Sequence, residues 1–115
     1  MKTFVIVRLQ IDGIHNWKDA KTTFPEVAYL SDPHRHVFHI EAKKQVFHGD
    51  RDVEFLMLKK DISVYLQNKY YDSTLRLCNF HGRSCEMIAT EILEEFKCTS
   101  VSVWEDNENG AIVEA

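Results

Sequence analysis

Hydrophobic residues alternate with polar ones near the start of this chain and recur at helical spacing in its middle. Two early segments, residues 3–14 and 34–47, are rich in β-branched and aromatic residues with polar residues between them, which predicts two β-strands. Residues 15–33 carry Asn, Asp and Pro with little periodicity, so they are predicted to form a long loop. A loop of that length is uncommon unless it serves a functional site.

Two amphipathic helices are predicted in the middle of the chain. In residues 54–69, apolar residues recur at spacings of three and four, with Lys and Asp between them. A second helix over residues 85–97 follows Ser84, a residue type that caps helix N-termini, and glutamates flank its apolar stripe. Residues 70–83 join the two helices and show no clear pattern.

A hairpin is predicted at the C-terminal end. Residues 99–105 alternate as a strand, a segment rich in Asp, Asn and Gly follows, and residues 111–114 form the returning strand. Within the turn segment, the pair Asn109-Gly110 favours a tight hairpin.

The predicted order of elements is strand, strand, helix, helix, strand, strand. This order predicts one α+β domain over residues 1–115, a four-stranded antiparallel sheet with two helices on one face. Because such a sheet has two open edges, we expect its strands to pair between the subunits of a symmetric homo-oligomer.

Composition and charge narrow the classes of partner. The net charge is −4 and no block of Lys or Arg stands out, which argues against a nucleic-acid partner. The apolar run at the N-terminus is too short for a signal peptide or a membrane span, so we expect a cytoplasmic protein that does not bind membranes. Cys78, Cys85 and Cys98 form no Cys-x-x-Cys pair, which indicates reduced thiols.

The strongest sign of chemistry is the motif His34-Arg35-His36. In a strand, residues two apart face the same side, so the two imidazoles would lie roughly 6–7 Å apart at the backbone. They could hold one divalent metal, and a third histidine would complete the three-ligand arrangement of catalytic zinc; His15 is the best-placed candidate. The alternative is two polar side chains on a partly exposed strand.

Three segments together resemble one protein family. They are the strand His34–Ala42, the helix start Asp52–Ile62, and the pair Ser84–Ala89 and Ser100–Glu105. Their order and spacing resemble the 6-pyruvoyl-tetrahydropterin synthase and 6-carboxy-tetrahydropterin synthase family, over residues 11–113. That family has the tunnelling fold (T-fold), with the order ββααββ.

The resemblance implies a zinc ion held by His15, His34 and His36, and a pterin- or deazapurine-type ligand at a subunit interface. It also implies that Glu105 anchors the ring and that Glu86 lies near the ligand. A carboxylate can accept two parallel hydrogen bonds from a ring N–H and an amino group, and such charge-assisted pairs are strong. The alternatives are an ordinary strand-end carboxylate at Glu105 and a helix-dipole partner at Glu86.

The chain departs from the family at the residues that carry out the reaction. Leu30 stands where the family has its catalytic cysteine, and the family's Asp-His pair has no clear counterpart. Asp72 and His81 are the candidates for acid–base groups. Two functions therefore stay open: a zinc-dependent lyase of the synthase type, and a non-catalytic zinc protein that binds or sequesters a pterin- or nucleotide-like ligand.

Overall fold

A computed structural model describes residues 1–115 as one six-stranded sheet with two long helices. The strands are β1 (Thr3–His15), β2 (His34–Val46), β3 (Tyr71–Asp72), β4 (Leu77–His81), β5 (Ser100–Glu105) and β6 (Asn109–Glu114). The helices are α1 (Ala20–Thr23), α2 (Phe55–Tyr70) and α3 (Cys85–Phe96), with a 3-10 helix over Pro25–Ser31. The sheet order is β3-β4-β1-β2-β5-β6. None of the helices is both long and apolar enough to cross a membrane.

The first two strands pair in antiparallel fashion along their whole length, from Thr3 opposite Val46 to His15 opposite His34. Strand alternation sends the odd-numbered side chains of β1 and β5 and the even-numbered ones of β2 to one face. Both long helices cover that face, because their buried side chains join one cluster with the strands. The central strand members of this cluster are Val7, Leu9, Ile11, Phe38, Ile40, Ala42, Val101 and Val103.

Local sequence explains where the helices begin. The Glu54 carboxylate accepts a hydrogen bond from the Leu56 amide at the start of α2. The Ser84 hydroxyl accepts one from the Met87 amide at the start of α3, as its capping role predicts. Both predicted helices, over 54–69 and 85–97, therefore match the structure to within one residue at each end.

The prediction of four strands was wrong, and so was that of an entirely antiparallel sheet. Residues 70–83 form β3 and β4 instead of an irregular connection, and β4 runs parallel to β1 with Gly13 opposite Cys78. The buried members of β4 are Cys78 and Phe80, at alternate positions. Two such residues are too few to establish a periodicity in the sequence.

The predicted loop over residues 15–33 was also partly wrong. It contains α1 and the 3-10 helix, and its first residue, His15, is the last residue of β1. The segment closes on itself, since the Trp17 amide donates to the Leu30 carbonyl at 2.7 Å.

The C-terminal hairpin is present, but its turn lies earlier than predicted. Glu105 pairs with Asn109, so Asn109 and Gly110 belong to β6. The turn starts at Asp106 and Asn107, which have left-handed backbones with φ of 54° and 57°. Asp and Asn are among the few residues that adopt this conformation readily.

One carboxylate joins the two long helices. Glu91 on α3 accepts hydrogen bonds from Tyr65, Lys69 and Tyr70 on α2, and from Arg83 just before α3. Burial opposes its ionisation, but these donors outweigh burial and lower the pKa of Glu91 to about 2. Arg83 in turn lies over the Tyr70 ring, 5.4 Å from its centroid. This network therefore fixes the segment that leads into α3.

We expect Gly13→Ala to destabilise the protein by about 1–3 kcal/mol, because the added methyl group overpacks the core. A Cβ at Gly13 would lie 2.7 Å from ring carbons of both Phe38 and Phe80, which are fully buried. Urea denaturation measures the change in the free energy of unfolding. The matched control is Gly49→Ala, where a Cβ meets no atom within 4 Å. Equal effects of the two substitutions would contradict this packing argument.

The low pKa of Glu91 predicts a pH dependence. A carboxyl whose pKa falls on folding stabilises the protein above its ordinary pKa of 4.5, and this contribution disappears as the pH falls towards about 2. Glu91→Gln should therefore lower the free energy of unfolding at pH 7 by about 1–3 kcal/mol. Its deficit relative to the native protein should shrink as the pH drops below about 4.5.

Urea denaturation at several pH values tests this expectation for Glu91. Glu94→Gln removes the same charge from an exposed position of α3 and serves as the control. A deficit of Glu91→Gln that stays constant down to pH 2.5 would show that ionisation of Glu91 does not stabilise the fold.

Candidate metal centre

Three histidines meet at one end of the sheet, on the face that the helices cover. His15 ends β1 opposite His34, the first residue of β2, and His36 lies opposite Gly13. The odd residues of β1 and the even residues of β2 face the core, and the three histidines lie at such positions. They therefore lie on the same face as Phe38, at the end of the apolar core.

The structure brings together the three histidines predicted to bind a metal. One ring nitrogen from each of His15, His34 and His36 lies within 4.8 Å of the others. The ring centroids are 4.6 Å apart for His15 and His34, 5.0 Å for His34 and His36, and 5.3 Å for His15 and His36. His15 is the most buried, at 8 % exposure.

Each of these histidines is held through its Nδ1 atom. His15 Nδ1 lies 2.8 Å from the Arg83 carbonyl, and His34 Nδ1 lies 2.8 Å from the Asp32 carbonyl. His36 Nδ1 lies 2.7 Å from a carboxylate oxygen of Asp106. Carbonyls and carboxylates only accept hydrogen bonds, so each Nδ1 carries the proton and each neutral ring keeps a free lone pair on Nε2.

The Nε2 atoms fit a metal ion. Those of His15 and His36 are buried and have no hydrogen-bond partner. Glu105 comes close, with its oxygens 2.9 Å from His15 Nε2 and 3.6 Å from His36 Nε2, but neither contact has the geometry of a hydrogen bond. Buried lone pairs that lack a donor are costly, and a cation satisfies them. Imidazole ligands suit transition metals such as zinc, copper, iron and nickel.

Glu105 is electrostatically coupled to the histidines. The neighbouring His15 is the main cause that lowers the pKa of Glu105, so this group stays a carboxylate at neutral pH. Burial opposes protonation of His15, but Glu105 and the Arg83 carbonyl outweigh burial and raise the pKa of His15.

A cavity of about 410 Å³ opens beside the histidines. Both carboxylates predicted to bind substrate, Glu105 and Glu86, line it together with His15, His34 and Trp17. Glu86 also lies in the first turn of α3, where a carboxylate favours the helix dipole. The cavity is large enough for a bicyclic heterocycle, since ligand pockets typically start near 300 Å³.

The two predicted acid–base residues are not side by side at this cavity. His81 ends β4 opposite His15 and is exposed, and its carbonyl accepts a hydrogen bond from the Asn16 amide. The Asp72 carboxylate caps the turn between β3 and β4 by accepting from the amides of Thr74 and Leu75. Neither side chain lines the cavity, and their acid–base roles stay predictions.

The cysteines are free, as predicted, and all three are buried. Burial raises the pKa of the Cys78 thiol to about 11. Burial, with Glu105 and Glu86 nearby, raises that of Cys85 to about 12. Cys85 does line the cavity, as does Leu30 at the position where the family resemblance puts a cysteine. No thiol of this chain is therefore activated as a nucleophile at neutral pH.

Sequence reasoning missed the groups that hold the histidines. The carbonyls of Arg83 and Asp32 leave no trace in a sequence, because any residue supplies a carbonyl. Asp106 could have been recognised only from its place directly after Glu105, and the sequence pattern instead indicated an ordinary turn residue.

Comparison with known proteins supports the fold. No family model matches this sequence, and no curated protein matches it. Among solved structures, that of Caenorhabditis elegans 6-pyruvoyl tetrahydropterin synthase is similar, with a TM-score of 0.73 and 14% sequence identity. The match covers 100% of this chain and 96% of that protein. At this identity the likeness shows the fold alone, so this chain has the fold of 6-pyruvoyl tetrahydropterin synthase.

Proposed function

We propose that this protein binds zinc through His15, His34 and His36 and holds a pterin- or deazapurine-type heterocycle in the cavity beside the metal. The observation that carries the proposal is the convergence of three imidazoles next to a cavity with two carboxylates. The fold shared with 6-pyruvoyl tetrahydropterin synthase supports this class of ligand. A 6-carboxy-tetrahydropterin synthase-like activity belongs to the same proposal.

The zinc ion would supply Lewis-acid chemistry, polarising a carbonyl or hydroxyl of the ligand or acidifying a bound water. With three protein ligands, the site would resemble catalytic zinc sites, which keep a position for substrate or water. The histidine rings have their Nδ1 protons already committed to Arg83, Asp32 and Asp106, so little reorientation is needed for Nε2 to bind.

Glu105 would orient the heterocycle. Its lowered pKa keeps it ionised, and it lines both the histidine cluster and the cavity. An ionised carboxylate accepts the paired N–H groups of an aminopyrimidinone edge, which pterins and deazaguanines share. Glu86 lies on the cavity wall and would add a second acceptor.

Two versions of this function differ in whether a reaction follows binding. In the first, the protein is a lyase of the synthase type, and His81 or Asp72 moves protons. In the second, it only binds or sequesters the ligand; the buried, unactivated thiols and Leu30 at the cavity wall favour this version. Recovery of a chemically intact ligand from the purified protein would support binding alone, and recovery of a product would support the lyase.

We also propose a homo-oligomer. The outer edges of β6 and β3 carry no further strand, and β4 pairs with only the last three residues of β1. Open edges of this kind favour pairing with a second copy.

Elemental analysis should find about one zinc per chain in the native protein and none in the double variant His34→Ala, His36→Ala, since two of three ligands are lost. The control is the double variant His39→Ala, His48→Ala. His39 points to the opposite face of β2 and His48 lies beyond its end, so this variant should keep the metal. Native protein that was never exposed to a chelator and holds no metal would refute the proposed site.

Glu105→Gln should weaken the binding of pterin by roughly 10–100-fold, because an amide cannot accept both N–H groups as a carboxylate does. Fluorescence titration with pterin and with deazaguanine measures the dissociation constants. Glu108→Gln removes the same charge from an exposed position three residues further along the hairpin and is the control. If both variants bind pterin as the native protein does, Glu105 is not the ring anchor.

A further inference from the structure

Asp106 is tied to β2 beside the histidine cluster by three hydrogen bonds. One carboxylate oxygen lies 2.7 Å from His36 Nδ1, and the other accepts from the Val37 amide at 2.9 Å. The Asp106 amide in turn donates to the Val37 carbonyl at 2.8 Å. These contacts fix the carboxylate, and through it the His36 ring.

The backbone of the hairpin explains how the carboxylate reaches this position. Glu105 is the last residue of β5 and lies on the Nε2 side of the histidines. Asp106 has a left-handed backbone, which turns the chain directly after Glu105. The Asp106 side chain therefore contacts His36 at Nδ1, not at Nε2. Two consecutive carboxylates therefore contact the same imidazole at its two nitrogens.

Asp106 differs from the groups that hold the other two histidines. His15 and His34 donate to the neutral carbonyls of Arg83 and Asp32, whereas His36 donates to a negative charge. A carboxylate behind a metal-binding imidazole fixes its tautomer, orients the ring and makes the free nitrogen a stronger donor to the metal.

We infer that Asp106 is a positioning residue of the metal centre: it presents His36 Nε2 to the ion and raises the affinity for divalent cations. The inference rests on the proposed metal site and assigns to one hairpin carboxylate a share of the affinity.

If Asp106 had a merely structural role, its loss would lower the stability of the metal-free protein as well as the metal affinity. Its side chain is 46% exposed, and an ion pair at that exposure contributes little to stability. Loss of the carboxylate should therefore change metal affinity far more than it changes the resistance of the metal-free protein to urea.

The experiment compares three variants of the full chain. Asp106→Asn keeps a hydrogen-bond acceptor and a residue type that tolerates a left-handed backbone, but removes the charge. Asp106→Gly removes the whole side chain and keeps the backbone conformation, because glycine adopts positive φ without strain. Asp12→Asn is the matched control: Asp12 also pairs with Val37 across the sheet, yet its carboxylate contacts Arg35 on the other face.

Competition with a chromogenic chelator measures zinc affinity, and cobalt substitution reports ligand geometry through visible absorption. We expect zinc affinity to fall roughly tenfold in Asp106→Asn and towards 100-fold in Asp106→Gly, and to stay close to the native value in Asp12→Asn. In the metal-free protein, ¹⁵N chemical shifts of His36 should show the Nδ1–H tautomer in the native chain and a mixture of tautomers in Asp106→Gly.

Two results would overturn the inference, and they can be told apart. Native protein without measurable affinity for zinc or cobalt would remove the metal site and this inference with it. Native protein that binds zinc, with both Asp106 variants binding as tightly as Asp12→Asn, would leave the metal site intact and overturn only the role of Asp106.

Discussion

The register of the β1–β2 pair is the constraint on which the core and the histidine cluster both depend. It sets His15 opposite His34 and Gly13 opposite His36, and it sends the odd residues of β1 to the same face as the even residues of β2. Because side chains alternate strictly, a slip of one residue would turn the core of one strand to solvent. The same slip would separate His15 from the other two histidines. The apolar residues that hold the register therefore also assemble the site.

The apolar core packs directly against the histidines. The Phe38 ring lies edge-on to both His15 and His36, with centroids 5.2 Å and 5.7 Å away, and packs against Phe80 at 5.0 Å. This apolar surface excludes water from the Nε2 atoms of His15 and His36, which raises the free-energy cost of leaving them unpaired. It equally strengthens their attraction to a cation, because charges interact more strongly where the dielectric constant is low. Gly13 leaves the room that both phenyl rings occupy.

The sequence was sufficient for the long elements and for the site residues that follow strand alternation. Thirteen-residue strands and helices of 12 and 16 residues carry enough repeats to be recognised. The same alternation placed His34, His36 and Glu105 on the buried face. The short strands β3 and β4 were missed, because β4 has only two buried positions. His15 was assigned to the loop because residues 15–33 carry Asn, Asp and Pro with little periodicity.

The Glu91 network and the contact of Asp106 with His36 could not be predicted, because they depend on contacts between distant segments. Glu91 is 8 residues from Arg83 but 22 and 26 residues from its partners Lys69 and Tyr65, and nothing in the helix pattern distinguishes it from Glu94. Asp106 contacts His36 across a separation of 70 residues, from a backbone in the left-handed conformation. Such groups become visible once the fold brings them to the histidines.

The histidines and Glu105 lie on the core strands, whereas the position that the resemblance assigns to a nucleophile lies outside the core. The histidines lie on β1 and β2 and Glu105 lies on β5, so the paired core strands hold them rigidly. Leu30, at the position that the resemblance assigns to the nucleophile, lies in the 3-10 helix Pro25–Ser31, which has no buried residue. A substitution there costs little stability, whereas a change in the register would cost the core. A chain without a cysteine at this position can therefore keep the arrangement of the three histidines and Glu105.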